Sequence, residues 1–141
     1  MRVTAVEIMG LERRSSRLLA YCKLKLDGCF VIECKIVQGN GRLILAMPSR
    51  KATDACTCGQ HNPLDAGFCS SCGAKLEGEM PEKLHCDVAF PINRETRENF
   101  EACAMKVWEA EKATPDGTWV RCLLSEDGSI TDRSTYRRQA Q

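Results

Sequence analysis

Histidine and aromatic residues are scarce in this chain: among 141 residues there are two histidines, and Phe, Trp and Tyr together make up 6%. So few histidines leave general-base chemistry with almost no candidates. The sequence also lacks paired catalytic carboxylates, a Ser or Cys nucleophile with a plausible His base, and a glycine loop that would cradle phosphate. An enzyme is therefore not expected. Charge of one sign is missing too, with 20 Lys and Arg against 19 Asp and Glu. That balance excludes attachment to DNA by bulk charge, so any nucleic-acid contact must rest on a local patch. No apolar run approaches the roughly 18 residues of a membrane-spanning helix. The N-terminus opens with Arg2 and a polar-apolar alternation, not with the pattern of a secretory leader. The expectation is a soluble cytoplasmic protein of one ordinary domain plus a small staple.

Cysteine, by contrast, is abundant, with ten residues. In a secreted chain this would mean a disulfide scaffold. Here four cysteines fall at ligand spacing, whereas Cys22, Cys29, Cys34 and Cys103 lie in apolar-periodic segments. A reducing compartment is expected, with metal at one cluster and plain buried thiols elsewhere.

Alternation predicts strands over residues 2 to 9 and from Arg17 to Leu26, the second with Leu18, Ala20, Cys22, Leu24 and Leu26 on one face. Asp27-Gly28 is a strong hairpin signal, because glycine readily takes the positive φ of a tight turn. A return strand from Cys29 to Val37 follows, then the turn Gly39-Asn40-Gly41 and a strand from Leu43 to Met47. From Arg50 to about Lys83 the texture changes to Cys, Gly, Pro and polar residues with almost no period. After Pro91, Phe100, Cys103, Ala104, Val107 and Trp108 recur at steps of three and four, the stripe of an amphipathic helix about 20 residues long. Asn93 suits its N-cap, and Thr114-Pro115-Asp116-Gly117 its stop. The helix would cover the meander, giving an α+β domain with one antiparallel sheet. Trp119 to Leu124 has the pattern of one further short strand, and the polar end with Arg133, Arg137 and Arg138 is expected to be loose.

The changed stretch holds Cys56-Thr57-Cys58-Gly59 and Cys69-Ser70-Ser71-Cys72-Gly73. Zinc takes four thiolates in a tetrahedron, and two short Cys pairs on neighbouring turns gather four sulfurs without a large core. Gly59 and Gly73 suit turns in which backbone N–H groups face the sulfurs. The segment resembles the short zinc ribbons of bacterial proteins. Its first pair is one residue shorter than the usual knuckle, so His61 stands as the substitute ligand should Cys56 or Cys58 fail to reach. The alternatives are free thiols or a disulfide in a loop. A redox motif is disfavoured, because Cys69-Ser70-Ser71-Cys72 lies in a loop beside a second pair and not at the start of a helix. Four thiolates leave no open position for catalysis. One structural Zn2+ would instead order the insert, with about 10 to 16 kcal/mol of binding free energy available.

Outside the insert, several stretches stand together: Val3-Thr4-Ala5-Val6, Leu26-Asp27-Gly28-Cys29-Phe30-Val31, Gly39-Asn40-Gly41-Arg42-Leu43, Ala46-Met47-Pro48-Ser49-Arg50-Lys51, and Asp87-Val88-Ala89-Phe90-Pro91-Ile92-Asn93 followed by Thr96-Arg97. In combination they resemble the stage V sporulation protein G (SpoVG) family, whose members are also called septation proteins. The resemblance runs from Met1 to about Lys112, interrupted once. The usual member has a short polar loop where this chain has more than thirty residues, and often His where this chain has Phe90. The implied organisation is a discontinuous SpoVG-like domain of residues 1–50 and 85–113, an inserted ribbon of residues 51–84 and a partly disordered extension of residues 114–141.

The resemblance implies a homodimer that binds DNA and RNA and regulates genes, with links to division and sporulation. Arg13, Arg14, Arg50, Lys51, Arg94 and Arg97 are the cations that would meet phosphate. Taken singly, each is an ordinary solvated residue. The ribbon would either widen that surface or contact another protein. The competing reading is a zinc-ribbon protein–protein adapter that binds no nucleic acid. Phe100 and Trp108 are assigned to the core, and His85 and Cys86 are bystanders to the metal.

Overall fold

The computed structural model describes residues 1–12, 17–78, 82–112 and 115–137. Arg13, Arg14, Thr114 and Arg138 lie outside them. The described chain forms two compact units: Met1–Pro48 with the chain from Ala89 onward, and Ser49–Val88.

In the first unit, β1 (Val3–Gly10), β2 (Leu18–Leu26), β3 (Phe30–Gln38) and β4 (Leu43–Ala46) make the antiparallel meander that the alternation predicts. Asp27 and Gly28 both carry positive φ, 50° and 70°, and Cys29 N–H closes the turn on Leu26 C=O at 3.0 Å. The 18-residue helix α1 spans Arg94–Glu111, and the Asn93 side chain caps it by accepting from Thr96 N–H at 2.8 Å. Lys112, in the left-handed conformation, ends it. Phe100, Ala104 and Val107 are its buried stripe, and it packs on β1, β2 and β4. With Val6, Ile8, Leu24, Ile36 and Leu45 they form one apolar cluster.

The C-terminal segment departs from expectation. Residues 130–137 are not loose, and the described part of 114–141 is no appendage to the domain. Strand β9, numbered here after four short insert strands, spans Thr118–Leu124, and β10 spans Ile130–Arg137. They give the sheet the order β10-β9-β1-β2-β3-β4. Polar sequence misleads here because β10 is an edge strand, where exposed polar residues are favoured. Arg133, expected to be free, is held by Glu111 of α1 at 2.6 Å. Cys29 is exposed in the hairpin, whereas Cys22, Cys34 and Cys122 are buried.

Because β9 returns to pair with it, β1 is a central strand. Val6 and Ile8 face the helix, while Glu7 lies on the opposite face and is only 3% exposed. Arg121 of β9 meets its carboxylate at 2.6 Å and Lys25 of β2 at 3.7 Å. Burial alone raises the Glu7 carboxyl, but the Arg121 hydrogen bond and the charges of Lys25 and Arg121 outweigh it and hold it below the ordinary carboxylate range.

The insert has its own ladders, β5 (Ser49–Lys51) with β8 (His85–Asp87) and β6 (Thr53–Ala55) with β7 (His61–Pro63). Among its described residues only Cys56, Asn62 and Cys69 are buried. No Leu, Ile, Val or Phe forms a core there.

A carboxyl lowered by folding stabilises the protein above its unfolded pKa, and that contribution is lost as pH falls through the folded value. Urea midpoints of the wild type should therefore drop as pH falls below about 4.5, the ordinary Glu value. Glu7→Gln should flatten that acid slope, and an unchanged slope would remove Glu7 from the account.

Candidate metal centre

Two tight turns build the cluster. In the first, Gly59 N–H donates to Cys56 C=O at 2.8 Å and Cys56 N–H to Gln60 C=O at 2.8 Å. In the second, Gly73 N–H donates to Cys69 C=O at 3.1 Å and Cys69 N–H to Ala74 C=O at 2.9 Å. Gly59 and Gly73 have φ of 91° and 75°, conformations that side-chain-bearing residues rarely take, so each knuckle needs its glycine.

The four sulfurs of Cys56, Cys58, Cys69 and Cys72 lie within 4.8 Å of one another. Cys56 and Cys72 Sγ are 3.7 Å apart, and Cys58 and Cys69 Sγ 3.6 Å. A tetrahedron with Zn–S bonds of about 2.3 Å has edges of about 3.8 Å. The donor set and its spacing thus fit one zinc ion. Both members of the short first pair reach the cluster, and exposed His61 is not part of it. His85 and Cys86, exposed in β8, also stand outside it.

Charge at the sulfurs is divided unequally. The backbone N–H of Cys72, the Asn62 side chain and the N–H of Ser71 lower Cys69 to about 6. Cys56 is likewise lowered, first by the backbone of Cys58. At Cys72 the backbone of Ala74 pulls downward, but the three neighbouring thiols crowd it and raise it to about 11. Four thiolates at this spacing repel one another, and a divalent cation at their centre removes that repulsion.

Asn62, in β7, is a buried amide and not one of the four sulfur donors. Only 2% exposed, it accepts at Oδ1 from Ser70 N–H at 3.0 Å and from Ser70 Oγ at 3.2 Å, and its amide donates to Gln60 C=O at 3.4 Å. It therefore ties the exit of the first knuckle to the second. Its one signal in the sequence is its place in Asn62-Pro63, between the two Cys pairs.

The described cations expected to meet phosphate are divided between the two units. Arg50 and Lys51 lie on β5, and Lys51 pairs with Asp65 at 3.2 Å. Arg94 and Arg97 open α1 and pair along it with Glu98 at 2.6 Å and Glu101 at 3.8 Å. Arg13 and Arg14 are outside the described residues. Among the described residues, no helix is long and apolar enough to cross a membrane.

Comparison with known proteins gives a family model, SpoVG, that matches residues 1–110. Relatives named "Putative septation protein SpoVG" include one from Bdellovibrio bacteriovorus, 31% identical over 79% of this chain and 76% of its own length. Another, from Macrococcus caseolyticus, is 30% identical over 84% and 78%. The protein from Staphylococcus carnosus is 27% identical over 95% of this chain and its whole length.

Substituting Cys69→Ser should abolish binding of one zinc per chain, measured by metal analysis after gel filtration. Trp108 and Trp119 both lie in the sheet–helix unit, so near-ultraviolet circular dichroism should be preserved. Loss of the tryptophan signal would show that the unit needs the metal. His61→Ala should leave the zinc content unchanged.

Proposed function

The chain belongs to the SpoVG family, and on that premise we propose that it is a nucleic-acid-binding regulatory protein, not an enzyme, acting on DNA and RNA as a homodimer. Its insert holds one structural zinc ion through Cys56, Cys58, Cys69 and Cys72. The observation that carries the reading is the exposure of Arg50, Lys51, Arg94 and Arg97 within or beside the matched stretches. Ion pairs this exposed are worth no more than about 1 kcal/mol, so exchanging a carboxylate for a phosphate oxygen costs little. Arg94 and Arg97 also stand at a helix N-terminus, where the helix dipole favours anions. Four thiolates around zinc leave no position for a substrate, which supports a structural role for the metal.

The carboxylates beside Lys51, Arg94 and Arg97 favour a second reading, in which the insert is an adapter for another protein and the phosphate surface is lost. Titration of the zinc-loaded protein with random DNA and RNA oligonucleotides at two salt concentrations separates the readings. Binding should weaken with salt, and alanine at all four positions should reduce both affinity and salt slope, since each phosphate contact releases counterions. Absence of binding at either salt would favour the adapter.

A further inference from the structure

The near-zero net charge conceals a division. Within Ser49–Val88, four Lys and Arg stand against six Asp and Glu, a net of −2, which leaves +3 for the remainder of the chain. Four thiolates around one divalent cation would add two further negative charges to the insert. By net charge the sheet–helix unit attracts phosphate and the insert repels it, apart from the local cations Arg50 and Lys51.

Helix α1 covers one face of the six-stranded sheet. Among the described residues, no element of the unit covers the other. Strand register sets a row across that face in which Trp119 lies opposite Tyr136, and Tyr21 lies between Met9 and Lys35. Trp119 and Tyr136 stack, their centroids 6.3 Å apart and their planes 9° from parallel. Lys23 Nζ lies 4.5 Å from the Trp119 centroid, and the Arg121 guanidinium 5.2 Å from that of Tyr136. This ladder is closed on itself. Tyr21, 38% exposed, is not part of it, and Val31 and Leu123 add 50% and 42% exposed apolar surface. Glu33 is paired with Lys23, and Glu7 with Arg121 and Lys25. Among the described residues Lys35 pairs with no carboxylate.

We propose that single-stranded nucleic acid lies across this face of the sheet, with a base stacked on Tyr21 and the backbone met by Lys35. An exposed ring on a flat sheet offers stacking to unpaired bases, whereas in a duplex the faces of the bases are hidden. The proposal rests on the nucleic-acid reading and refines it. It adds a second contact surface on the side of the sheet opposite α1, beside the phosphate contacts of Arg94 and Arg97.

The test uses the full-length, zinc-loaded protein and fluorescein-labelled oligothymidine and oligouridine of about 15 nucleotides, with a duplex of equal length for comparison. Tyr21→Ala should weaken single-strand binding about tenfold, in the range of one lost base–aromatic stack. Tyr21→Phe, which keeps the ring, should bind like the wild type. Lys35→Glu should lower both affinity and salt slope, and Lys75→Glu in the insert should change neither. Near-ultraviolet circular dichroism of Trp119 checks that each variant is folded. If Arg94→Ala/Arg97→Ala abolishes binding while both Tyr21 variants bind normally, the strand lies on the helix, and the sheet proposal fails while the nucleic-acid reading stands. Equal affinity for the duplex would also overturn it. No binding of any oligonucleotide by the wild type would overturn both.

Discussion

Strand β1 must be satisfied on two edges and two faces, and the sheet–helix unit is arranged around that requirement. Its backbone groups pair with β2 on one side and β9 on the other, so the chain has to return after α1 to supply a strand. One face is covered by Phe100, Ala104 and Val107 of the helix. On the other, Glu7 is buried among side chains of the adjacent strands. A carboxylate in that position is tolerable only with partners, which Arg121 and Lys25 provide. The Trp119–Tyr136 stack extends this covering across the edge of the sheet.

The insert solves the same problem by different means. With no buried aliphatic or aromatic side chain among its described residues, it cannot offset the entropy of ordering its chain by hydrophobic burial. What it has is four sulfurs spaced for one ion and a buried amide that joins the two knuckles. A long insertion can interrupt the domain in this way without contributing to its core.

Charge shows how a whole-chain average conceals surfaces. A net of +1 is the sum of an acidic insert and a basic sheet–helix unit. Within the basic unit, several cations neutralise neighbouring carboxylates, as Arg121 does Glu7 and Arg133 does Glu111. The cations available to a polyanion are therefore fewer than composition suggests.

The meander, the helix and the gathering of the four cysteines were legible in the chain because each is written in local spacing. Strand alternation, the Asp27-Gly28 turn, the Asn93 cap and the two Cys pairs all act over a few residues, and local geometry decides them. Ile130–Arg137 was not legible as a strand. Its polar pattern suits an edge, and only the unpaired side of β9 makes it one. Nor could the sequence place the first Cys pair with its short spacing, because reach depends on how the two knuckles face each other. The burial of Glu7 was hidden for the same reason, since its partners lie 18 and 114 positions away along the chain and meet it only through pairing of β1 with β2 and β9. Local residue chemistry set the elements and the two Cys pairs. Long-range pairing decided which strand became central and which carboxylate was buried.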